Sequence, residues 1–343
     1  MTKKQELTAM IDYLRVSFKT HDLDLIIEKV LHIKKEYMLE KETGRYGYIG
    51  TFELDMIKVY YSAPEDERGV LIELSGQGCR QFESFLACLK QSWFEFLQTC
   101  IDFQGNFTRL DVAIDDRKTY LNIPTLLNKA HKAECISKFN NYDFNGSGDL
   151  TSGLEKGTTL YLGSKKSEMY FCFYEKNYEQ AKKNRVPVES IGKWNRYELR
   201  MNDDRAQEVV KNLLLTKDMT NVAKSIMHNY IRFIDIPTNL KGEARIKARR
   251  NAKLNKRWKN FVEGVSKLKL YTEKQEDFYE KSKRWLDFAG SATMKMVLEA
   301  DKELGTNELS DMIMNAELNP RQEHMLEVKL ATVDDMVCDK QKI

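Results

Sequence analysis

Hydrophobic and polar residues alternate in several segments of the first two-thirds of the chain, and this period of two is typical of half-buried strands. Such segments occupy residues 11–18, 70–74, 107–114 and 194–201, and residues 46–61 and 158–174 read as hairpins. Apolar residues with helical spacing lie between the strands, at 23–37, 79–100, 123–133 and 205–215. The pattern predicts an α+β fold with a central antiparallel sheet covered by helices.

The pattern changes near residue 235, after which strand signals are almost absent and helical spacing continues to the end of the chain. Pro237 and Gly242 mark a short link at this point. We therefore predict a strand-rich α+β domain over residues 1–235 and a helical, basic C-terminal region over residues 236–343. The order β-α-β-β-β-α occurs twice in the first domain, which raises the alternative of two similar halves sharing one sheet.

The composition is that of a soluble globular protein, with 343 residues, 42% hydrophobic and 31% charged. No apolar run approaches the roughly 20 residues that a membrane helix needs. The first residues are polar and lack the apolar core of a signal peptide. We expect a cytoplasmic protein with no membrane segment.

Cysteine and histidine spacing argues against a zinc-type site. The six cysteines include no Cys-x-x-Cys pair, and the five histidines never pair as His-x-His or His-x-x-x-His. Carboxylates would therefore have to hold any metal ion, and hard oxygen ligands suit Mg²⁺ or Mn²⁺.

A basic segment follows the predicted domain boundary. Residues 241–259 hold nine Lys or Arg residues against one acid, Glu243, although the net charge of the whole chain is only +3. A solvated helix is one interpretation, and contact with DNA phosphates is the other, because clustered cations repel one another unless an anion is near. The candidate DNA-binding residues here are Arg245, Lys247, Arg249, Arg250, Lys253, Lys256 and Arg257, and Arg109 is a further candidate outside the segment.

Two predicted strands carry arginines and carboxylates at alternate positions, which places them on one face of each strand. On the first strand these residues are Arg109, Asp111 and Asp115, and on the second they are Arg196, Glu198 and Arg200. If the strands are neighbours, Asp111, Glu198 and Asp115 would converge on one divalent metal. The alternative is a set of cross-strand ion pairs on a solvated sheet.

Tyr197 lies between the charged residues of the second strand. A tyrosine oxygen can attack phosphorus, and arginines such as Arg196 and Arg200 can neutralise a phosphate. In a regular strand, however, Tyr197 points away from Glu198. A bulge would have to re-aim it, or its own face is the catalytic one, or another tyrosine is the nucleophile.

Tyr174 is the main competitor for the role of nucleophile, followed by Tyr170 and Tyr161. The two residues that follow Tyr174 are themselves candidates for the site. Glu175 is a further candidate metal ligand, and Lys176 is a candidate phosphate contact.

Taken together and in order, these segments resemble the replication initiation factor family, also called the Rep-trans type. It includes rolling-circle plasmid initiators of Gram-positive bacteria and conjugative relaxases of integrative elements. The resemblance spans roughly residues 11–235. Its segments are Asp12-Tyr13-Leu14-Arg15-Val16, Leu74 to Arg80, Arg109 to Asp116, Gly157 to Gly163 with Tyr170 to Lys176, and Trp194 to Arg200.

The resemblance implies a site- and strand-specific DNA nickase. A tyrosine would attack the scissile phosphate at an origin, form a 5′-phosphotyrosine link and free a 3′-hydroxyl, with Mg²⁺ or Mn²⁺ as cofactor. The family pattern carries the tyrosine to Tyr197 and the metal ligands to Asp111, Glu175 and Glu198.

The resemblance also implies partners and leaves two other functions open. It implies origin DNA with a single-stranded nick site, a helicase and an accessory origin-binding protein. One alternative is a non-catalytic origin-binding regulator on the same fold. The other is a metal-dependent nuclease that uses activated water.

Overall fold

The computed structural model describes residues 7–153, 155–263, 282–283 and 285–338. The chain divides into two compact units. The first takes its residues from 1–16 and 106–272, and the second from 17–105 and 273–343. Both combine antiparallel strands with helices, which confirms the predicted α+β class.

The strands found in the described residues are β1 (Leu7–Phe18), β2 (Leu39–Lys41), β3 (Gly50–Leu54), β4 (Ile57–Tyr61), β5 (Val70–Leu74), β6 (Asn106–Asp116), β7 (Cys135–Ser137), β8 (Tyr142–Gly148), β9 (Glu155–Leu162), β10 (Met169–Glu175), β11 (Asn195–Asn202) and β12 (Ile231–Phe233). The α-helices found there are α1 (Gly76–Cys88), α2 (Trp93–Asp102), α3 (Ile123–His131), α4 (Lys176–Asn184), α5 (Val188–Ile191), α6 (Asp203–Thr216), α7 (Met219–Tyr230), α8 (Gly242–Arg250), α9 (Lys256–Glu263), α10 (Ser291–Leu304), α11 (Glu308–Met314), α12 (Pro320–Leu330) and α13 (Val333–Met336). No helix within these described residues is both long and apolar enough to cross a membrane.

In the first unit, six strands lie side by side in the order β1-β6-β11-β10-β9-β8, and β7 pairs with β12 in a separate two-stranded sheet. Antiparallel pairing joins β6 to β11, β11 to β10, β10 to β9 and β9 to β8. Aromatic residues dominate β10, as expected for a strand of a sheet with a buried face. The register is continuous along β11, where Arg196 lies opposite Asp115 and Tyr174, and Tyr197 lies opposite Ile114 and Phe173.

This register gives the sheet of the first unit one apolar and one polar face, because successive side chains on a strand point to opposite sides. The apolar face includes Ile114, Phe173 and Leu199, all of them fully buried. Helix α6 packs against β6 and β11, and α7 packs against β6. Each large apolar side chain buried there contributes roughly 1.5–3 kcal/mol, so this face holds the core while the polar face is left for chemistry.

The basic segment 241–259 is not one helix. It forms α8 and α9 with a break between them, and both lie in the first unit. Trp258 and Phe261 of α9 are fully buried. Arg245 donates to Glu134 at 3.0 Å, and Arg249 donates to the carbonyl oxygen of Cys135. Part of the segment is therefore structural.

The second unit contains the strands β2-β3-β4-β5, paired antiparallel in that order. Three strands that follow one another in the chain are also neighbours in the sheet in each unit, β3-β4-β5 here and β9-β10-β11 in the first unit. The similarity of the two halves stays a prediction. The described C-terminal helices α10 to α13 also belong to this unit.

Two predicted boundaries differ from the structure. The single helix expected over 79–100 is two helices, α1 and α2, because Lys90 adopts φ 55° and Ser92 begins α2 with a capping box that includes Glu95. The domain boundary expected near residue 235 also differs, since α8 and α9 belong to the unit that holds β6 to β11.

Candidate active site

A groove opens on the polar face of the sheet in the first unit. Its cavity volume is ≈ 380 Å³, and its lining comes from β8, β9, β10, β11 and α4. The lining residues that bear on chemistry are Tyr161, Tyr174, Glu175, Glu179, Glu198 and Arg200.

Tyr174 has its hydroxyl between an acceptor and a donor. The phenol donates to Glu198 Oε1 at 2.9 Å and accepts from Lys176 Nζ at 3.2 Å. Burial raises the pKa of Tyr174 above its usual value, and the negative charge of Glu198 raises it further. The phenol is therefore protonated at neutral pH, with a carboxylate placed to take the proton and an ammonium placed to stabilise the phenolate.

Tyr197 does not lie in the groove. Its side chain is 0% exposed on the apolar face, its ring packs against Phe173 and Phe261, and its hydroxyl donates to Asp116 Oδ2 at 2.7 Å. Burial raises the pKa of Tyr197 well above its usual value, and the adjacent Asp116 adds to the shift. No bulge re-aims the residue, because the pairing of β11 with both neighbours is continuous. The structure therefore gives Tyr197 a core position and corrects the expectation that placed it beside the metal.

Arg196 is hydrogen-bonded to two carboxylates, those of Asp115 and Asp12. It donates to both oxygens of Asp115, at 2.6 and 2.8 Å, and to Asp12 at 3.0 Å, and it is buried. Burial alone would raise the pKa of Asp115, but the Arg196 guanidinium outweighs it and holds that pKa below its usual value. Arg196 thus ties β11 to β6 and β1, and it is not placed to neutralise a phosphate.

Arg200 remains available to the groove. It donates to Glu198 Oε2 at 2.8 Å and lies 3.7 Å from Asp111. Its Nε is buried and donates no hydrogen bond to a described residue. Of the two arginines predicted to meet a phosphate, Arg200 is the one that lines the cavity.

The four carboxylates predicted to hold a metal are not brought together. Asp111 accepts two hydrogen bonds from Arg109, at 2.9 and 2.6 Å, and Asp115 is paired with Arg196. Burial raises the pKa of Asp111 to about 6, although Arg109 opposes the shift. Within the described residues no group of three His, Cys, Asp or Glu side chains is close enough to hold a metal. Ion pairing accounts for both aspartates, across strands for Asp115 and along β6 for Asp111, and both carboxylates are buried.

The groove nevertheless offers the type of donor that a hard divalent ion uses. Glu175, Glu179 and Glu198 all line it. Glu175 accepts from the backbone N–H of Thr158 at 2.8 Å, which fixes its carboxylate at the groove wall. One or two carboxylates, completed by water and substrate phosphate, form the usual Mg²⁺ site, whereas a closed protein cage is not required. The donor set therefore fits a metal that binds together with the substrate.

Some groove residues were not predicted. Glu179 and Lys182 lie on α4, a helix that the sequence pattern did not indicate, and Glu179 accepts from Lys176 at 3.2 Å. A polar helix has little apolar periodicity, so only the Lys-x-x-Glu spacing from 176 to 179 gave a signal. Asp12 belongs to the first segment of the family resemblance, but its ion pair with Arg196 depends on the order of strands in the sheet and could not be predicted from the segment alone.

The chain belongs to the replication initiation factor family. A model of the family described as "Replication initiation factor" matches residues 105–313, and one described as "Rolling Circle replication initiation protein N-terminal domain" matches residues 8–99. These matches confirm the resemblance and carry it past residue 235. The gap between them, residues 100–104, ends just before the boundary at 105/106 where the chain passes from one unit to the other.

Two similar proteins, one compared by sequence and one by structure, have names that describe their activity. The chain is 57% identical over 331 residues to the putative DNA relaxase NicK of Bacillus subtilis (strain 168), a match that covers 96% of this chain and 92% of the relative. The solved structure of a rolling circle replication initiator protein from Geobacillus stearothermophilus is similar with a TM-score of 0.66 and 28% identity, and the match covers 78% of this chain and 100% of that one.

Proposed function

We propose that this protein is a site- and strand-specific DNA nickase that becomes linked to the 5′ end of the cut strand through Tyr174. The observation that carries the proposal is the position of the Tyr174 hydroxyl, between Glu198 and Lys176, in a groove of a chain that belongs to this family. The names of its relatives, a relaxase and a rolling circle initiator, support nicking as the reaction.

The chemical step is a transesterification. The Tyr174 oxygen bonds to the scissile phosphorus as the bond from phosphorus to the 3′ oxygen breaks, and the phenol proton passes to Glu198 Oε1. Lys176 offsets the charge of the forming phenolate, and Arg200 offsets charge on the phosphate oxygens. The freed 3′ oxygen takes a proton from water and becomes the 3′-hydroxyl primer end, and Glu198 returns the phenol proton to solvent. One phosphoester is exchanged for another, so rejoining needs no ATP.

Glu175 and Glu198 are the residues that would hold Mg²⁺ or Mn²⁺ in the groove. When bound there, the ion supplies Lewis-acid polarisation of a non-bridging phosphate oxygen. Asp111 and Asp115 are not assigned this role, because neither lines the groove and each is buried against an arginine.

The basic segment divides into structural and DNA-binding residues. Arg245 and Arg249 contact the body of the first unit, and Arg109 is paired with Asp111 over the ring of Tyr13. Among the exposed cations of the segment, we assign five to phosphate contacts: Lys247, Arg250, Lys253, Lys256 and Arg257. A helicase and an accessory origin-binding protein would complete the reaction on duplex DNA.

The test is a covalent-adduct assay. The protein is incubated with a 3′-end-labelled single strand of the origin and Mn²⁺, then separated on a denaturing protein gel. We expect label to migrate with the wild-type protein and with Tyr197→Phe, but not with Tyr174→Phe. Cut DNA without attached label would indicate a nuclease that uses water, and binding without any cut would indicate a regulator. An adduct formed by Tyr174→Phe would refute the assignment.

A further inference from the structure

Two tyrosines beside the groove have no part in the step described above. Tyr161 on β9 and Tyr170 on β10 are stacked, with ring centroids 5.9 Å apart and planes inclined by 14°. The Arg200 guanidinium lies 5.5 Å from the centroid of the Tyr170 ring. Tyr170 is 3% exposed, whereas Tyr161 is half-buried and lines the groove. The Tyr161 ring thus lies against Tyr170, has Lys165 Nζ 5.7 Å from its centroid and borders the cavity.

A third ring, that of Tyr178 on α4, lines the same cavity. Gly157 on β9 makes room for it, since a Cβ at this glycine would lie 3.0 Å from Tyr178 Cβ. The glycine also adopts φ +104°, which other residues rarely do. The groove therefore combines two aromatic surfaces with the amide of Asn145 and the hydroxyl of Thr159.

The dimensions suit one nucleotide. The volume of ≈ 380 Å³ is within the range of about 300–1,000 Å³ that holds small organic ligands. Tyr174 lies opposite Thr159, and Tyr161 is two residues further along β9 on the same face. Diagonal neighbours of this kind are separated by about 7–8 Å. A single strand of DNA whose phosphate reaches the Tyr174 hydroxyl therefore passes beside the Tyr161 ring.

We propose that the groove binds an unpaired nucleotide that flanks the scissile phosphate, with its base stacked on Tyr161. The position of the phosphate at Tyr174 rests on the proposed function. A paired base has its faces covered by its neighbours and its edge by its partner, so a pocket can take it only after unpairing. The stacked tyrosines would thus make the protein selective for single-stranded DNA.

Photo-crosslinking tests the proposal without requiring cleavage. The probe is a 20-nucleotide single strand of mixed sequence with 5-iododeoxyuridine in place of thymidine, and the control is the same strand annealed to its complement. The protein carries Tyr174→Phe throughout, so it cannot nick. We expect crosslinks at Tyr161 or Tyr178 with the single strand and far fewer with the duplex. Crosslinks confined to residues 247–257, or equal yields from both probes, would overturn the proposal.

Affinity measurements separate stacking from phosphate contact. Tyr161→Leu should weaken binding of the single strand by about 5- to 100-fold, the effect expected for one stacked base, whereas Tyr161→Phe should bind normally. The dependence of log K on log salt should keep its slope, because no phosphate contact is lost. Equal affinities for the two variants would refute the role of the ring. If no adduct forms at Tyr174 but Tyr161 still crosslinks, the groove binds single strands and only the nicking proposal fails.

Discussion

Tyr174 and Tyr197 lie on adjacent strands of one antiparallel sheet and project from opposite faces. Tyr174 pairs with Arg196, and Phe173 pairs with Tyr197, so one register places one phenol in the groove and the other in the core. Their hydroxyls have different acceptors, Glu198 on the polar face and Asp116 on the apolar face. Substitutions at the two positions should therefore have opposite consequences.

Tyr197→Phe should lower stability and leave nicking intact. The change removes the hydrogen bond to Asp116, a buried carboxylate that also accepts from the backbone N–H of Lys118 and Tyr120. Loss of a bond to a charged group costs about 1.5–3 kcal/mol. Urea unfolding should show this loss, and the adduct assay should show near-normal yield. Tyr174→Phe is the matched control: it should form no adduct and should lose less stability, because its hydroxyl lies at the groove, where water can replace it, whereas that of Tyr197 is fully buried. A Tyr197→Phe variant that folds normally and forms no adduct would contradict this.

Glu198→Gln should slow nicking while preserving DNA binding. The amide keeps a hydrogen-bond acceptor for the Tyr174 phenol but can neither take up its proton nor bring a negative charge to a bound ion, and loss of a general base alone typically costs about 10²–10⁴-fold in rate. Single-turnover adduct formation measures the rate, and anisotropy with a labelled single strand measures binding. Glu179→Gln is the control, since this carboxylate contacts Lys176 and not the phenol. Equal rates for the two variants would show that Glu198 is not the proton acceptor.

The strand pattern was enough to predict which charged residues share a face, but not what each of them contacts. The period of two places Arg196, Glu198 and Arg200 together, and the structure agrees. Their partners depend on register across strands that are far apart in sequence. Asp115 lies opposite Arg196 and forms an ion pair with it, so this expected metal ligand is not free to bind a metal. Strand alternation also raised the objection to Tyr197, and burial of its ring on the apolar face supports that objection.

The division into two units could not be predicted from the local pattern of hydrophobic and polar residues. Strand β1 begins the chain, yet it lies beside β6, which begins about 90 residues later. A change of composition near residue 235 was visible, but α8 and α9 dock through Trp258 and Phe261, which only tertiary structure reveals. The break between α1 and α2 was different, because Ser92-Trp93-Phe94-Glu95 is a capping-box sequence that could have predicted it.

Removal of three exposed cations from the basic segment should reduce the salt dependence of DNA binding. Lys247, Arg250 and Lys253 are exposed. If each contacts one phosphate, their joint replacement by Gln should lower the slope of log K against log salt by about 2, because each single-strand contact contributes about 0.7. Fluorescence anisotropy from 50 to 300 mM salt, about the range over which such contacts are lost, measures it.

The control for this experiment is Arg245→Gln. Arg245 donates to Glu134 and to the carbonyl oxygen of Lys132, so its loss should affect stability more than the salt slope. An unchanged slope in the triple variant would assign the exposed cations to solvent, which is the alternative interpretation of this segment.

Lys224→Met should stabilise the protein near neutral pH. Lys224 on α7 is 3% exposed, its Nζ has no hydrogen-bond partner among the described residues, and it lies 5.1 Å from the centroid of the Phe261 ring. Burial lowers the pKa of Lys224 to about 8. Below pH 8 both folded and unfolded states carry the proton, so folding bears the full cost of burying the charge. Between pH 8 and about 10.4 only the unfolded state stays protonated, so the free energy of unfolding should rise with pH by on the order of 2–3 kcal/mol.

Lys224→Met should raise the free energy of unfolding at pH 7 by a similar amount and should no longer show the rise with pH. The variant Lys211→Met, which changes an exposed lysine, should show the same rise as the wild type. Urea unfolding from pH 7 to pH 10 measures both quantities, and a parallel rise in all three proteins would show that Lys224 is not its source.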